Sequence, residues 1–261
     1  MELISSRENP HIKQLAALIS QKKERAESGL FVCEGARLCA DAAAAGLIPQ
    51  EVFITEDSFS RYPEQVSLLL ELADEARMLT PALAARISDT KQPQGVFAIF
   101  KRLDNSPQVV KIRKDGKYLL LAGIQDPGNL GAMLRCANAM GLDGAFIETS
   151  CPELYSPKVL RASMGGVLRL NIGIVPDMCE TIALLRQSSV MVWAAALASN
   201  AVELRHNLLE APCAVLIGNE GAGLSRELID VCDNALIIPM REGAESLNAA
   251  GAASILMWEM R

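Results

Sequence analysis

The chain has 261 residues, 50% of them hydrophobic and 21% charged, with a formal net charge of −6. That length and apolar content allow one large or two ordinary packed domains and exclude overall disorder. No apolar run approaches bilayer length, and the acidic balance argues against a protein that simply coats nucleic acid.

The opening stretch "MELISSRENPHIKQ" lacks the apolar core of a signal peptide, so a cytoplasmic location is expected. "ENPHIKQLAALISQKKERAESG" predicts a helix capped by Asn9, with Pro10 in its first turn and Gly29 just beyond its end. "LFVCEG" and "EVFITE" predict strands on either side of "ARLCADAAAAG", an alanine-rich helix stopped at Gly46. "PEQVSLLLELADEA" predicts a further helix, then "RMLT" and "GVFAIF" two more strands. Alternation of this kind gives a small α/β layer. Residues 101–117 are polar, turn-rich and basic, and between Lys91 and Lys117 seven Lys/Arg face only two acids. Such a run is most often a solvated surface, and RNA binding is the functional alternative. The expected division is therefore a first domain at 1–104, a linker at 105–117 and a second domain at 118–261.

From Tyr118 the strands are stronger: "YLLLAGI", "GAFIE", "LRLNIGIV", "VMVWAAA", "AVLIG" and "NALIIPM". Their near-continuous apolar character predicts a mostly parallel sheet covered on both faces. Ligands of such sheets bind beyond the carboxyl ends of the strands. The helix "NLGAMLRCANAMG" carries one apolar stripe made of Leu130, Met133, Leu134, Ala137 and Met140.

Polar and glycine-rich residues gather after three of these strands. In "QDPGNLGAMLRCANAMG", Asn129 is placed to cap the helix. Arg135 lies opposite the apolar stripe, free for solvent, a partner subunit or a phosphate. In "VLIGNEGAGLS" the glycine order is reversed from the dinucleotide fingerprint, and the Lys-Ser/Thr of a phosphate loop is missing. A tight turn is the default there, although Glu220 amid bare backbone can approach a ligand closely. In "IPMREGAESLNAAGAASILMWEM", Ser246 can cap a helix beginning at Leu247, which leaves Glu245 and Asn248 unexplained. Gly251 within that helix costs about 1 kcal/mol relative to alanine, and it signals close packing against another helix or another subunit. The seven cysteines form no CxxC pair, and His11 and His206 are the only histidines, so no metal site is expected. Reduced, mostly buried thiols are expected instead.

The ordered set "PGNLGAMLRCANAMGLDGAFI", "VLIGNEGAGLS" and "IIPMREGAESLNAAGAASILMWE" resembles the three motifs of the SpoU (TrmH) family of RNA ribose methyltransferases. "YSPKVLRASMGGVLRLNI" is similar to the segment that family carries after its first motif. "SSRENPHIKQLAAL", "LFVCEGARLCADAAAAG" and "TKQPQGVFAIF" resemble its accessory substrate-binding domain. The resemblance implies an α/β knot (SPOUT) methyltransferase domain with a deep trefoil knot, preceded by a small α/β RNA-binding domain. It implies methyl transfer from S-adenosyl-L-methionine to a ribose 2′-hydroxyl of structured RNA, ribosomal RNA being favoured over transfer RNA. Asn129, Arg135, Glu220, Ser246 and Asn248 fall on the family's catalytic positions, and Gly218, Ile238 and Leu247 on its cofactor-binding ones. Arg135 would clamp an RNA phosphate or accept the proton, and the clamp is the better match to a guanidinium. Asn129 and Glu220 would orient it, while Ser246 and Asn248 hold the loop and the ribose oxygen. The family also implies a homodimer with the active site near the subunit contact. Rival readings are a non-catalytic RNA-binding relative and a nicotinamide-dependent oxidoreductase, the latter lacking its fingerprint.

Overall fold

Strand pairing divides the chain between two sheets, and a computed structural model describes residues 1–241 and 246–261 of it. The two compact units are Met1–Leu103 with Glu153–Leu168, and Asp104–Pro152 with Arg169–Arg261.

The first unit runs β1 (Glu2–Ile4), α1 (Pro10–Ser20), α2 (Lys22–Ser28), β2 (Leu30–Glu34), α3 (Ala36–Ala44) and β3 (Glu51–Thr55). It continues α4 (Glu56–Arg61), α5 (Pro63–Leu72), β4 (Glu75–Leu79), α6 (Pro81–Ile87) and β5 (Val96–Lys101). The sheet order is β1-β4-β3-β5-β2. β1, β4 and β3 are parallel, and β5 runs antiparallel to both of its neighbours. Leu15, Leu18, Phe53 and Phe97 are fully buried in one core cluster.

The expected long helix from residue 10 to 28 is two helices, with Asn9 capping the first through the His11 N–H. Gln21 between them is extended, at φ −117° and ψ 115°. The cause is Arg25. Its guanidinium is buried and donates to the carbonyls of Leu18 and Ile19 at 2.6 and 3.1 Å. Those are acceptors that a continuous helix would have given to the N–H groups one turn later.

The second unit opens with a short 3-10 turn at Pro107–Val109. It continues with β6 (Lys117–Leu121), α7 (Pro127–Ala139) and β7 (Gly144–Glu148). After α8 (Pro157–Ser163) and α9 (Gly166–Arg169) come β8 (Ile172–Val175), α10 (Met178–Gln187), β9 (Met191–Ala195) and β10 (Val202–Glu203). β11 (Cys213–Ile217), α11 (Arg226–Val231), β12 (Asn234–Ile237) and α12 (Ala249–Met260) complete it. Its seven strands are parallel throughout, in the order β10-β12-β9-β11-β6-β7-β8. The doubly covered parallel sheet read from the apolar strands is thus present. Of the helical stripe, Leu130, Met133, Leu134 and Ala137 are fully buried.

Residues 105–117, expected as a linker, are folded onto the second unit. The Asn105 carbonyl accepts from Ile174 N–H at 2.8 Å, and its side-chain amide donates to the Ile172 carbonyl at 3.1 Å. Val110 is buried in the second unit's core. The Tyr118 hydroxyl donates to the Lys111 carbonyl and accepts from the Arg113 N–H, which holds the turn in place. The stretch is polar because its backbone groups and side chains bond the sheet's edge and a buried tyrosine.

A second departure concerns residues 153–168, which sit among the methyltransferase-like motifs in sequence but belong to the first unit. The reason is a buried ion pair. Glu153 accepts from Arg25 Nε and Nη2, the closer contact being 2.6 Å. Tyr155 adds a ring contact with Phe31 at 4.6 Å and accepts from the Leu103 N–H.

Candidate active site and cofactor pocket

Because β6 and β11 are adjacent and parallel, the loops after them leave the sheet side by side. From β6 the chain builds β7 and β8 on one side and the remaining strands on the other, so these loops lie at the topological switch point. Three of the sequence clusters meet there. Glu220 accepts from the backbone N–H groups of Gln125 and Asp126 at 3.0 and 3.2 Å, and from the Asn129 side-chain amide at 2.9 Å. The Asn129 carbonyl oxygen in turn accepts from the Asn248 amide at 3.2 Å. One hydrogen-bond chain, Glu220–Asn129–Asn248, therefore ties the loop after β11 to α7 and α7 to the start of α12.

This chain corrects two cap assignments. Asp126, not Asn129, caps α7, its carboxylate accepting from the Asn129 N–H at 2.9 Å. Asn248, not Ser246, caps the last helix, which begins at Ala249. The Asn248 side-chain oxygen accepts from the N–H groups of Ala250 and Gly251 at 2.9 and 3.2 Å. The Asn129 side chain is thus committed to Glu220 and Asn248, and that of Asn248 to the helix backbone and Asn129. Glu245 lies outside the described residues.

Burial pushes the Glu220 carboxyl up, but the Asn129 side chain and the surrounding backbone N–H groups outweigh it, and the net shift is downward. A depressed carboxylate stabilises the fold fully above its unfolded pKa and loses that contribution as pH falls through the folded value. Below about pH 5 the melting temperature of the natural chain should therefore fall more steeply than that of Glu220→Gln. Parallel acid curves for the two proteins in a thermal melt series would contradict this.

The loop carrying Glu220 is pinned by a residue that the sequence did not single out. The Asn219 amide donates to the Gly123 carbonyl at 2.8 Å, while its oxygen accepts from the N–H groups of Gly221 and Ala222. An asparagine opening a glycine-rich turn is the signal that could have found it. Gly218 is required by crowding: a Cβ there would lie 2.7 Å from the carbonyl of Gly223.

Beyond the ends of β9 and β12 is a pocket of about 180 Å3. Ile238, Ser246 and Leu247 are among its lining residues. Ala195, Leu197 and Met240 also line it, and nothing in their local sequence marked them. Gly218 is not among its lining residues; it serves the turn after β11. Arg135 is exposed on α7 and stands outside the Glu220–Asn129–Asn248 chain. The expectation that Asn129 and Glu220 orient Arg135 is not what the hydrogen bonds record: they orient each other and the loops.

Residues 116–258, which span every candidate position, match the SpoU rRNA methylase family, and residues 9–98 match the MRM3-like substrate binding domain. The chain belongs to the SpoU rRNA methylase family. Among SpoU relatives, the 23S rRNA (guanosine(2553)-2'-O)-methyltransferase RlmP of Bacillus subtilis is 30% identical over the full length of both chains. An AdoMet-bound rRNA methyltransferase from Sinorhizobium meliloti superposes with a TM-score of 0.86 at 27% identity, covering 99% of this chain and 96% of that one. The SpoU methyltransferase AviRb from Streptomyces viridochromogenes, in complex with AdoMet, gives 0.83 at 25% identity, covering 96% of each chain.

Proposed function

We propose that this SpoU-family chain transfers the methyl group of S-adenosyl-L-methionine to a ribose 2′-hydroxyl of structured RNA, with 23S ribosomal RNA as its substrate. The observation that carries the proposal is the Glu220–Asn129–Asn248 chain, which fixes three distant segments beside an apolar pocket. The cofactor named for two of the solved relatives suits that pocket. Its lining is mainly aliphatic side chains at strand ends, which would hold the flat faces of an adenosine, with backbone groups left for its edges.

When bound, S-adenosylmethionine supplies an electrophilic methyl group. The residues of the chain then have two kinds of work. Glu220, Asn129 and Asn248 are positioning residues that lock the loops through bonds already made. Arg135 and Ser246, both exposed, meet the substrate. A guanidinium matches a phosphate in a bidentate way and is a poor base, so Arg135 clamps the RNA backbone beside the target ribose. Ser246, at the pocket, accepts from the ribose 2′-hydroxyl and orients it, and the hydroxyl proton passes to solvent as the methyl–sulfur bond breaks and the methyl–oxygen bond forms. Orientation of this kind lowers the barrier by several kcal/mol for a weak nucleophile such as a ribose hydroxyl.

A second copy of the chain completes the proposal. Ile255, Trp258 and Leu247 are 40%, 48% and 43% exposed on or beside α12, and the space where a Gly251 Cβ would sit is open. An apolar helix face with a bare glycine suits a homodimer contact. The deep knot that the resemblance implies belongs here too. α12 packs on α7 and β11, although β12, which precedes it, lies on the far side of β9. No helix among the described residues is long and apolar enough to cross a membrane, and a cytoplasmic place of action fits an RNA substrate.

The test is to incubate the purified chain and radiolabelled S-adenosylmethionine with ribosomal and transfer RNA from cells lacking the gene, then map ribose methylation. Label at a single large-subunit site is expected. Label confined to transfer RNA would move the substrate, and no transfer to any RNA would support the non-catalytic alternative.

A further inference from the structure

The first unit contains a pocket that the methyl-transfer site does not use. We propose that this pocket holds an unstacked nucleobase of the RNA, one presenting carbonyl oxygens, as guanine or uracil does. The proposal rests on the RNA-methylating reading above and adds a second contact point to it.

The pocket measures about 320 Å3 and lies between the start of α3, residues 90–94 and the end of α8. Its floor exists because residue 35 is glycine. Gly35 has a φ of +103°, and a Cβ there would lie 3.1 Å from the Gln94 side-chain oxygen. α3 has no side-chain cap of its own; instead, Gln94 reaches over and its oxygen accepts from the Ala36 N–H at 2.8 Å. That bond settles which end of the Gln94 amide is which. The oxygen is used, and the NH2 is left as a donor.

The opposite wall is built around Glu34, which is 9% exposed. Its carboxylate accepts from the Ser88 hydroxyl, from the Thr90 hydroxyl at 3.0 Å and from the Asp89 N–H at 3.2 Å. Glu34 is therefore committed to shaping the wall. Arg161, brought in by α8, donates through Nη2 to Asp89. Its Nη1 is buried and has no hydrogen-bond partner, with the nearer Glu34 oxygen 4.0 Å away. A buried donor left unmet is costly, so an acceptor entering this pocket gains a ready partner.

The remaining lining is mixed, with Asp41 and Gln92 polar and two residues apolar. Leu38 and Met164 both line the pocket. Met164 is 39% exposed and ends α8 in the left-handed region, at φ +47°. A non-glycine residue held there at the edge of a cavity is strain of the kind found at ligand clamps. Apolar contacts beside donors within the cavity match an unpaired base, which proteins read in RNA by stacking and by its edges. Gln92 can give or accept, whereas the Gln94 amide and Arg161 Nη1 offer donors alone, so the balance favours a base that presents acceptors. Arg37, exposed at the mouth, suits the adjoining phosphate.

The test uses the full chain and its methylatable RNA. Gln94→Glu keeps the oxygen that bonds Ala36 but replaces the donor with an acceptor, while Leu38→Trp fills the cavity. Each should raise KM for RNA about tenfold, with the Kd for S-adenosylmethionine and, for Gln94→Glu, the melting temperature unchanged. RNA carrying 4-thiouridine or 6-thioguanosine should also crosslink to the peptide containing Met164. If the natural chain methylates RNA but Gln94→Glu keeps its KM and no such crosslink forms, the pocket proposal fails alone. If the natural chain methylates no RNA, the functional reading fails and takes this inference with it.

Discussion

Replacing Arg135 by alanine should abolish methyl transfer while leaving the affinity for S-adenosylmethionine nearly unchanged. Arg135 is exposed on α7, and the pocket whose lining includes Ile238, Ser246 and Leu247 does not include it. The Glu220–Asn129–Asn248 chain that sets the loops does not pass through it either. Its removal therefore subtracts a substrate contact and leaves the framework standing. Loss of a group that orients the reacting atoms costs roughly 100-fold in rate or more. Arg135→Lys should recover little, because an ammonium cannot grip a phosphate with two parallel bonds. Single-turnover methylation read beside calorimetry of cofactor binding separates these effects. A large loss of cofactor affinity in Arg135→Ala would show that the side chain serves the methyl donor, and the clamp assignment would have to be given up.

The largest stability effect is expected from Glu153→Ala. The Arg25 and Glu153 side chains are 5% and 9% exposed and joined at 2.6 Å, and the guanidinium also bonds two backbone carbonyls. Removing the carboxylate strands a buried cation, which costs about 3–5 kcal/mol. The paired replacement Arg25→Met with Glu153→Leu should recover much of that loss, since neither charge is then left alone. Urea unfolding gives the free energy, and amide exchange within α8 gives its location. A loss under about 1 kcal/mol, typical of solvent-exposed pairs, would mean that the contact is not buried in solution.

The strands of the second unit were legible because residues buried on both faces of a parallel sheet must be apolar, as Leu119, Leu120, Val215 and Leu216 are. The α7 stripe was legible for a similar reason, its period matching a helix that packs on one side. Less legible was which polar residue does what. Asn129 and Ser246 both had the chemistry of a helix cap, and Asp126 and Asn248 hold those positions. Short-range propensity ranks such neighbours almost equally, and the choice falls to whichever side chain has a competing partner. Asn129 had one in Glu220, 91 residues away.

By itself, then, the sequence determined the layered α/β class, the apolar faces and the ordered clusters of the SpoU motifs, since each depends on composition within a single element. The tertiary structure alone decided that residues 153–168 complete the first unit, that 105–117 edge the second, and that Glu220 reaches Asn129 rather than Arg135. Each of those outcomes rests on a hydrogen bond or ion pair between groups far apart in the chain. Local periodicity carries no record of such partners, because they become neighbours only after the sheets have formed.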